Sequence, residues 1–257
     1  MAKITAIANQ KGGVGKTTVA VNLSIAAARN GLQTLLVDAD SQANATSTFF
    51  PKEGITQSLY HVLEEGLSAS RVILQTNIIN LDILPSTIQL AREETNFHPD
   101  TFFRLEDALQ GLNYDLIFID APPSLGVCFT QALVAADYLL IVSVAGKFAA
   151  EGIEDLNDSY ERIKRRFNHD LQLLGCLLNK FDARITGHKE SKLWLRGVFG
   201  KKAFNTVIPT HAALETNPIA APTSKSDLAF QELFEEICVR LQLPIVPKEV
   251  ALGTKES

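Results

Sequence analysis

Short apolar runs recur along the chain at strand length, and most segments between them carry apolar residues at helical spacing. That alternation predicts an α/β domain with a mainly parallel sheet. Residues 3–8 form the first run, and a Gly-rich turn follows it. Residues 17–30 read as a helix stopped at Asn30-Gly31, where glycine suits a C-terminal cap. Runs at 34–37, 81–84, 114–119, 138–144 and 171–178 predict further strands, and Val207-Ile208 before Pro209 closes a last short one. Helices are predicted near 150–167, 187–198 and 226–241. In the last of these Ala229, Leu233, Ile237 and Leu241 recur every fourth residue along one stripe. No internal repeat and no Pro/Gly/Ser-rich linker divides the chain. The pattern therefore predicts one doubly wound sheet with helices on both faces over 1–243, then a short polar tail over 244–257.

Composition narrows the class. The 257 residues are 46% apolar and 21% charged, as in a globular chain and unlike a disordered or fibrous one. The longest apolar run, 138–146, has strand length and falls well short of the roughly 18 residues of a membrane span. Met1-Ala2-Lys3-Ile4-Thr5 leads straight into a strand without the apolar core of a signal peptide. Cys128, Cys176 and Cys238 are too far apart for a CxxC metal or redox site. A cytoplasmic chain free of structural disulfides is the expectation.

The formal net charge of −5 disfavours a nucleic-acid partner, but the charge is segregated. Residues 160–202 hold 11 Lys/Arg against 4 Asp/Glu. Within that window Lys189, Lys192 and Arg196 fall at i, i+3 and i+7 on one face of a predicted helix. Arg184 precedes them and Lys201 and Lys202 follow, while Leu193, Val198 and Trp194 are candidate anchors for the other side. On charge alone a merely solvated face and a phosphate-contacting face are equally good readings.

The strongest chemical signal is Asn9-Gln10-Lys11-Gly12-Gly13-Val14-Gly15-Lys16-Thr17-Thr18, set between a predicted strand and a predicted helix. That is the context of a phosphate-binding P-loop. Glycines let successive backbone N–H groups converge on phosphate oxygens, and the helix N-terminus adds its positive end. Lys16 supplies a charge to the β- and γ-phosphates, and Thr17 a hydroxyl to Mg²⁺. Gln10 stands where the usual pattern has glycine, and a second lysine, Lys11, stands next to it. Asp38 and Asp40 lie at and just past the end of the second strand, the edge where open α/β sheets bind ligands. Asp120 ends a buried apolar strand, where an ionised carboxylate is costly without a cation or donors nearby. Coordination of Mg²⁺ through water meets that need.

These residues carry a family resemblance. Lys11-Gly12-Gly13-Val14-Gly15-Lys16-Thr17-Thr18 resembles the deviant Walker A motif of the ParA/MinD group of P-loop ATPases. Val37-Asp38-Ala39-Asp40-Ser41-Gln42-Ala43-Asn44 resembles the second signature of that group, and the run from Asp115 to Asp120-Ala121-Pro122-Pro123 resembles its Walker B motif. The segments at 80–86 and 205–209 are similar to those of the Soj-like ParA branch. The resemblance implies Mg-ATP as the bound ligand, with Asp40 orienting the attacking water and Asp38 close to the Mg²⁺ and phosphate network. It implies that Lys11 reaches across an ATP-dependent homodimer to the partner's nucleotide, and that Asn179 and Pro209 hold the adenine. It tips the basic window towards non-specific duplex DNA and implies a nucleoid-associated ATPase that partitions DNA with a ParB-like partner. Departures from the pattern are Ser41 for a common proline, Lys147 for a common acid, Thr210 for a usual arginine, and a shortened stretch over 214–222.

Other classes fit less well. A membrane-positioning ATPase like MinD needs a basic amphipathic C-terminal helix, whereas residues 248–257 carry glycine and balanced charges. A nitrogenase-type iron protein needs cluster-holding cysteines, and only Cys128 is plausibly placed. A small-molecule kinase or synthetase with a similar P-loop stays open, although no acceptor-substrate constellation is visible.

Overall fold

A computed structural model describes residues 2–146 and 149–244. The strands are β1 (Lys3–Ala8), β2 (Thr34–Asp38), β3 (Leu74–Gln75), β4 (Leu81–Leu84), β5 (Leu116–Asp120), β6 (Tyr138–Val144), β7 (Gln172–Phe181) and β8 (Ala203–Pro209). They form one sheet in the order β3-β4-β2-β5-β1-β6-β7-β8. Every pairing is parallel except that of β3 with β4. The central strands β1, β2 and β5 are almost wholly buried, which is why they read as continuous apolar runs.

Successive residues of each strand serve opposite faces. Ile7, Leu36, Phe118, Leu140 and Leu177 pack against α1 (Lys16–Arg29) and α10 (Lys225–Leu241). Ala8, Val37, Ile119, Ile141 and Cys176 pack against α3 (Leu59–Glu65), α5 (Arg104–Leu109), α6 (Val127–Val134) and α7 (Ala149–Arg166). The expected doubly wound architecture is thus observed. The stripe of Ala229, Leu233, Ile237 and Leu241 on α10 is buried as its spacing predicts. All three cysteines are buried and free, and no helix among the described residues is long and apolar enough to cross a membrane.

Several elements are absent from the sequence reading. α2 (Asn44–Phe49), α4 (Ala69–Val72) and α9 (Ala213–Thr216) are too short to show a helical period. α6, Val-Cys-Phe-Thr-Gln-Ala-Leu-Val, is apolar almost all round, because seven of its eight residues are buried. β8 begins at Ala203, not Val207, since its polar Asn205-Thr206 lies on the sheet edge. There the Glu236 carboxylate of α10 accepts the outward N–H groups of Asn205 (3.0 Å) and Thr206 (3.1 Å), blunting the edge. Lys147 and the tail from 245 onwards lie outside the described residues.

α8 (Thr186–Phe199) corrects a sequence expectation. Leu193, Val198 and Trp194 are 68%, 55% and 37% exposed, and the buried anchor is Leu195 at 4%. Against the sheet the helix packs mainly on the outer strands β7 and β8, and Ser191 accepts the Gly146 N–H (3.3 Å) beyond β6, so one narrow face suffices to dock it.

Candidate functional site

The phosphate loop leaves β1 at the centre of the sheet and is held from three sides. Asn9 is buried where the loop begins. Its Nδ2 donates to the Val142 carbonyl of β6 (2.6 Å), and its Oδ1 accepts the Lys11 N–H (2.8 Å). Gly13 (φ 75°) and Gly15 (φ 90°) take left-handed conformations that side chains disfavour. From the end of β7, Asn179 Nδ2 donates to the Val14 carbonyl (2.8 Å), and a Cβ on Gly15 would run into the same amide. Asn179 reaches this position through an irregularity. Three residues of β7, Leu178 to Phe181, advance against two of β8, Val207 to Pro209, and Lys180 sits at φ 52°. This is a bulge that re-aims a side chain at the head of the sheet.

The loop opens on a cavity of about 720 Å³. Gly12, Gly13, Gly15, Lys16, Thr17, Thr18, Asp40, Asn179 and Pro209 all line it. Lys11, Val14, Asp38 and Asp120 do not. Val14 is packed beneath the loop and Lys11 is exposed beside it, whereas Asp38 and Asp120 are buried under the floor. The remaining wall includes Gln42, Asn44, Pro123, Thr210 and Leu214, which the sequence showed only as parts of motifs or as departures, and Ser47, Thr48, Lys180 and His211, which it did not mark as site residues. The polar run Asn44 to Thr48, directly after the second signature, was the available signal. Asn22 has no such signal. It donates to the carbonyls of Thr18 (2.7 Å) and Pro218 (2.6 Å) and accepts the Ala220 N–H (2.8 Å), tying α1 to that far wall.

Electrostatics concentrate at the floor. Asp38 and Asp120 are register partners on β2 and β5, and both are buried. Asp38 is well supplied: its Oδ2 accepts from Thr46 N (2.8 Å) and Thr46 Oγ1 (2.7 Å), and its Oδ1 from Asp40 N (3.3 Å). Burial nevertheless holds its carboxyl above the usual range, at about 6. Neither Asp120 oxygen has a well-formed hydrogen bond. Burial first, and then the Asp38 carboxylate, push Asp120 up to about 8 against the pull of the Thr17 hydroxyl and the Lys16 ammonium. Burial lowers the Lys16 pKa in turn, while Asp120 and then Asp40 oppose the shift. Asp40 sits higher, at the cavity wall, with its Oδ1 accepting the Gln42 N–H (2.9 Å). The floor is therefore short of positive charge and donors at Asp120, the condition a divalent cation relieves. Among the described residues no group of three His, Cys, Asp or Glu side chains converges. Such a cation would rest on the Thr17 hydroxyl, water and the phosphates of its ligand, with Asp120 and Asp38 behind.

The basic residues lie elsewhere. Lys189 and Arg196 are exposed on α8, and Lys201 and Lys202 are exposed in the turn after it. Lys192 is half-buried, its Nζ 5.8 Å from the centre of the Phe181 ring. Arg184 is exposed but engages the Asp182 carboxylate through Nε (3.0 Å) and a second nitrogen (2.7 Å).

Comparison with known proteins accords with this geometry. A family model described as an AAA domain (AAA_31) matches residues 2–173. The sporulation initiation inhibitor protein Soj of Bacillus subtilis is 37% identical over 249 residues, covering 92% of this chain and 98% of its own length. The chromosome-partitioning ATPase Soj of Thermus thermophilus is 38% identical, covering 92% and 96%. Among solved structures, cobyrinic acid a,c-diamide synthase of Mycobacterium smegmatis with bound ADP and magnesium superimposes with a TM-score of 0.85. It is 27% identical and covers 94% of this chain and 96% of its own. With the phosphate loop, the paired strand-end aspartates and relatives matching along nearly their whole length, the chain belongs to the ParA/Soj family of P-loop ATPases and is an ATPase of that family.

Proposed function

We propose that residues 1–243 form an ATPase unit that binds Mg-ATP in the 720 Å³ cavity, dimerises around it and partitions DNA. The observation that carries the nucleotide reading is the alignment of the glycine cradle and Lys16 above the undersupplied carboxylate of Asp120. Backbone N–H groups of 12–18 and the Lys16 ammonium take the phosphates, and Thr17 with Asp120 and Asp38 holds Mg²⁺, which offsets phosphate charge when bound. Asp40, at the wall and not under the floor, orients the water that displaces ADP from the γ-phosphate. Asn179 and Pro209 border the adenine end of the cavity.

Lys11, exposed at the mouth, serves the nucleotide of a second copy, so that two chains complete each other's sites. In the dimer the basic residues Lys189, Arg196, Lys201 and Lys202, flanked by Lys192 and Arg184, meet duplex DNA through its phosphates without reading bases. A ParB-like partner stimulates hydrolysis and releases the dimer. Support for partition over small-molecule chemistry comes from the sequence relatives, which match at 37–38% over nearly their whole length. The synthase neighbour matches at 27%.

The test is binding of the Asp40→Ala protein to random-sequence duplex DNA, with ATP against ADP, across a salt series. Binding with ATP only, indifferent to sequence and weakening steeply with salt, is expected. An ATP dimer that ignores DNA at every salt concentration would sink the partition reading and leave a membrane or protein surface as its target.

A further inference from the structure

On the face opposite α1 and α10 a groove of about 250 Å³ opens between α6, α7 and the turn Pro99–Phe103. Phe129 and Ile163 are buried at its base, and Phe102, Leu125 and Phe167 form its walls. Leu125 and Phe167 are 41% and 37% exposed and line the same groove, so their apolar surface is shared and not scattered. The Phe102 and Phe167 rings pack at 5.5 Å between centroids, so the wall is built and not a loose side chain.

Arg162 and Arg166 form the rim, with Lys164 and Arg165 beside them and Glu161 the one acid among residues 161–166. Among the described residues none of these four cations makes an ion pair. Arg162 donates only to the Asp158 carbonyl (3.3 Å) and the Ser159 hydroxyl (3.3 Å). Aromatic and arginine side chains around one concave apolar hole make the composition of a protein-binding hot spot. The aromatic rings lean on one another instead of presenting open faces, which suits an inserted side chain better than a stacked base.

We propose that this groove docks an acidic segment of a partner protein. One bulky apolar side chain of the segment enters between Phe102, Leu125 and Phe167, and its carboxylates meet Arg162 and Arg166. At about 250 Å³ the hole has room for one bulky side chain and little more, which sets the anchor at a single residue. Leu125 belongs to the loop that leaves Asp120, so an occupant touches the chain a few residues from the nucleotide floor. The docking itself does not depend on nucleotide.

The experiment pans a phage-displayed random peptide library on the full chain without nucleotide, with the Arg162→Glu/Arg166→Glu/Phe167→Ser variant as counter-selector. Unchanged thermal unfolding of the variant checks that it folds. Enriched peptides should carry one bulky apolar residue among acidic ones, and their affinity should drop roughly tenfold or more in the variant. Enrichment of basic peptides, or of none that the variant discriminates, overturns the proposal. So does a variant whose only loss is duplex-DNA binding, or whose oligomeric state changes, since the face would then serve DNA or a second copy.

Discussion

Asp38 and Asp120 stand opposite each other on adjacent parallel strands, yet only Asp38 is furnished with donors. Thr46 gives Asp38 both an N–H and a hydroxyl, while among the described residues neither Asp120 oxygen has a hydrogen-bond partner. The two carboxyls thus differ in supply, Asp38 being satisfied within the fold and Asp120 not.

This difference predicts a pH dependence. Asp120 has its folded pKa raised from 3.8 to about 8, mainly by burial and secondarily by Asp38. A carboxyl shifted upward costs stability as pH climbs from the unfolded to the folded value, because the fold then holds a charge that it disfavours. Asp120→Asn should therefore stabilise the nucleotide-free protein little at pH 4 and by about 2 kcal/mol or more at pH 8. Urea unfolding of both proteins across that range measures it, and parallel curves would refute it. By the same linkage, Mg-nucleotide binding should release protons near pH 7, visible as a buffer-dependent heat.

Thr46 is the second test of the floor. Its Oγ1 donates to Asp38 and accepts the Ser86 N–H at 2.8 Å. Thr46→Val leaves a buried N–H unpaired and strips a donor from Asp38, at a cost of roughly 2–3 kcal/mol in unfolding free energy. Thr46→Ser should recover most of that loss, and a valine variant as stable as the parent would contradict the bond's role.

Gly15 and Asn179 form a close fit that a double-mutant cycle can resolve. Gly15→Ala meets the Asn179 amide and also forces alanine to φ 90°. It should destabilise by about 2 kcal/mol or more and weaken nucleotide binding. Removing the amide with Asn179→Ala clears the collision but not the backbone strain. The double variant should recover part of the loss, so that the two effects are not additive. Strict additivity would mean that the two residues do not touch.

Much of this was legible in the sequence because buried parallel strands and phosphate loops leave local marks. The runs ending at Asp38 and Asp120 and the spacing of Gly13, Gly15 and Lys16 are readable without a fold. The supports were not, since each joins distant positions: Asn9 to Val142, Asn22 to Pro218, Asn179 to Val14. A buried amide in a helix looks like any polar residue until its partner is placed. Leu193 and Val198 misled for the opposite reason. Their apolarity suggested a packed face, but a helix docked at the margin of the sheet buries Leu195, with Phe199 partly packed against the same core.

The two lysines of the phosphate loop should separate cleanly. Lys16 is buried against the phosphate cradle and faces Asp120, so Lys16→Ala should abolish nucleotide binding by removing both a phosphate contact and the nearest cation of the floor. Lys11 is exposed beside that cradle, so Lys11→Ala should still bind ATP yet remain monomeric with it. Light scattering of the Lys11 variant with ATP decides the matter. A stable ATP dimer would remove the cross-subunit role.

The basic positions are not equivalent, and DNA binding should rank them. Arg184 already holds Asp182 in a two-pronged pair, whereas Lys189 on α8 has no ion-pair partner among the described residues. Arg196 spends one nitrogen on a neutral acceptor, Asn205 Oδ1 (3.1 Å), and keeps its charge outward. Each phosphate contact removed should lower the slope of log affinity against log salt by about one. Lys189→Glu with Arg196→Glu should thus cut the slope by about two per chain and weaken binding on every sequence alike. Arg184→Ala should change the slope far less, because its charge is already engaged by Asp182. Filter binding over a salt series gives all three slopes, with ATP turnover as the control for an intact site. A large loss at Arg184 beside a small one at the α8 pair would move the DNA face away from α8 and towards the loop that leaves β7.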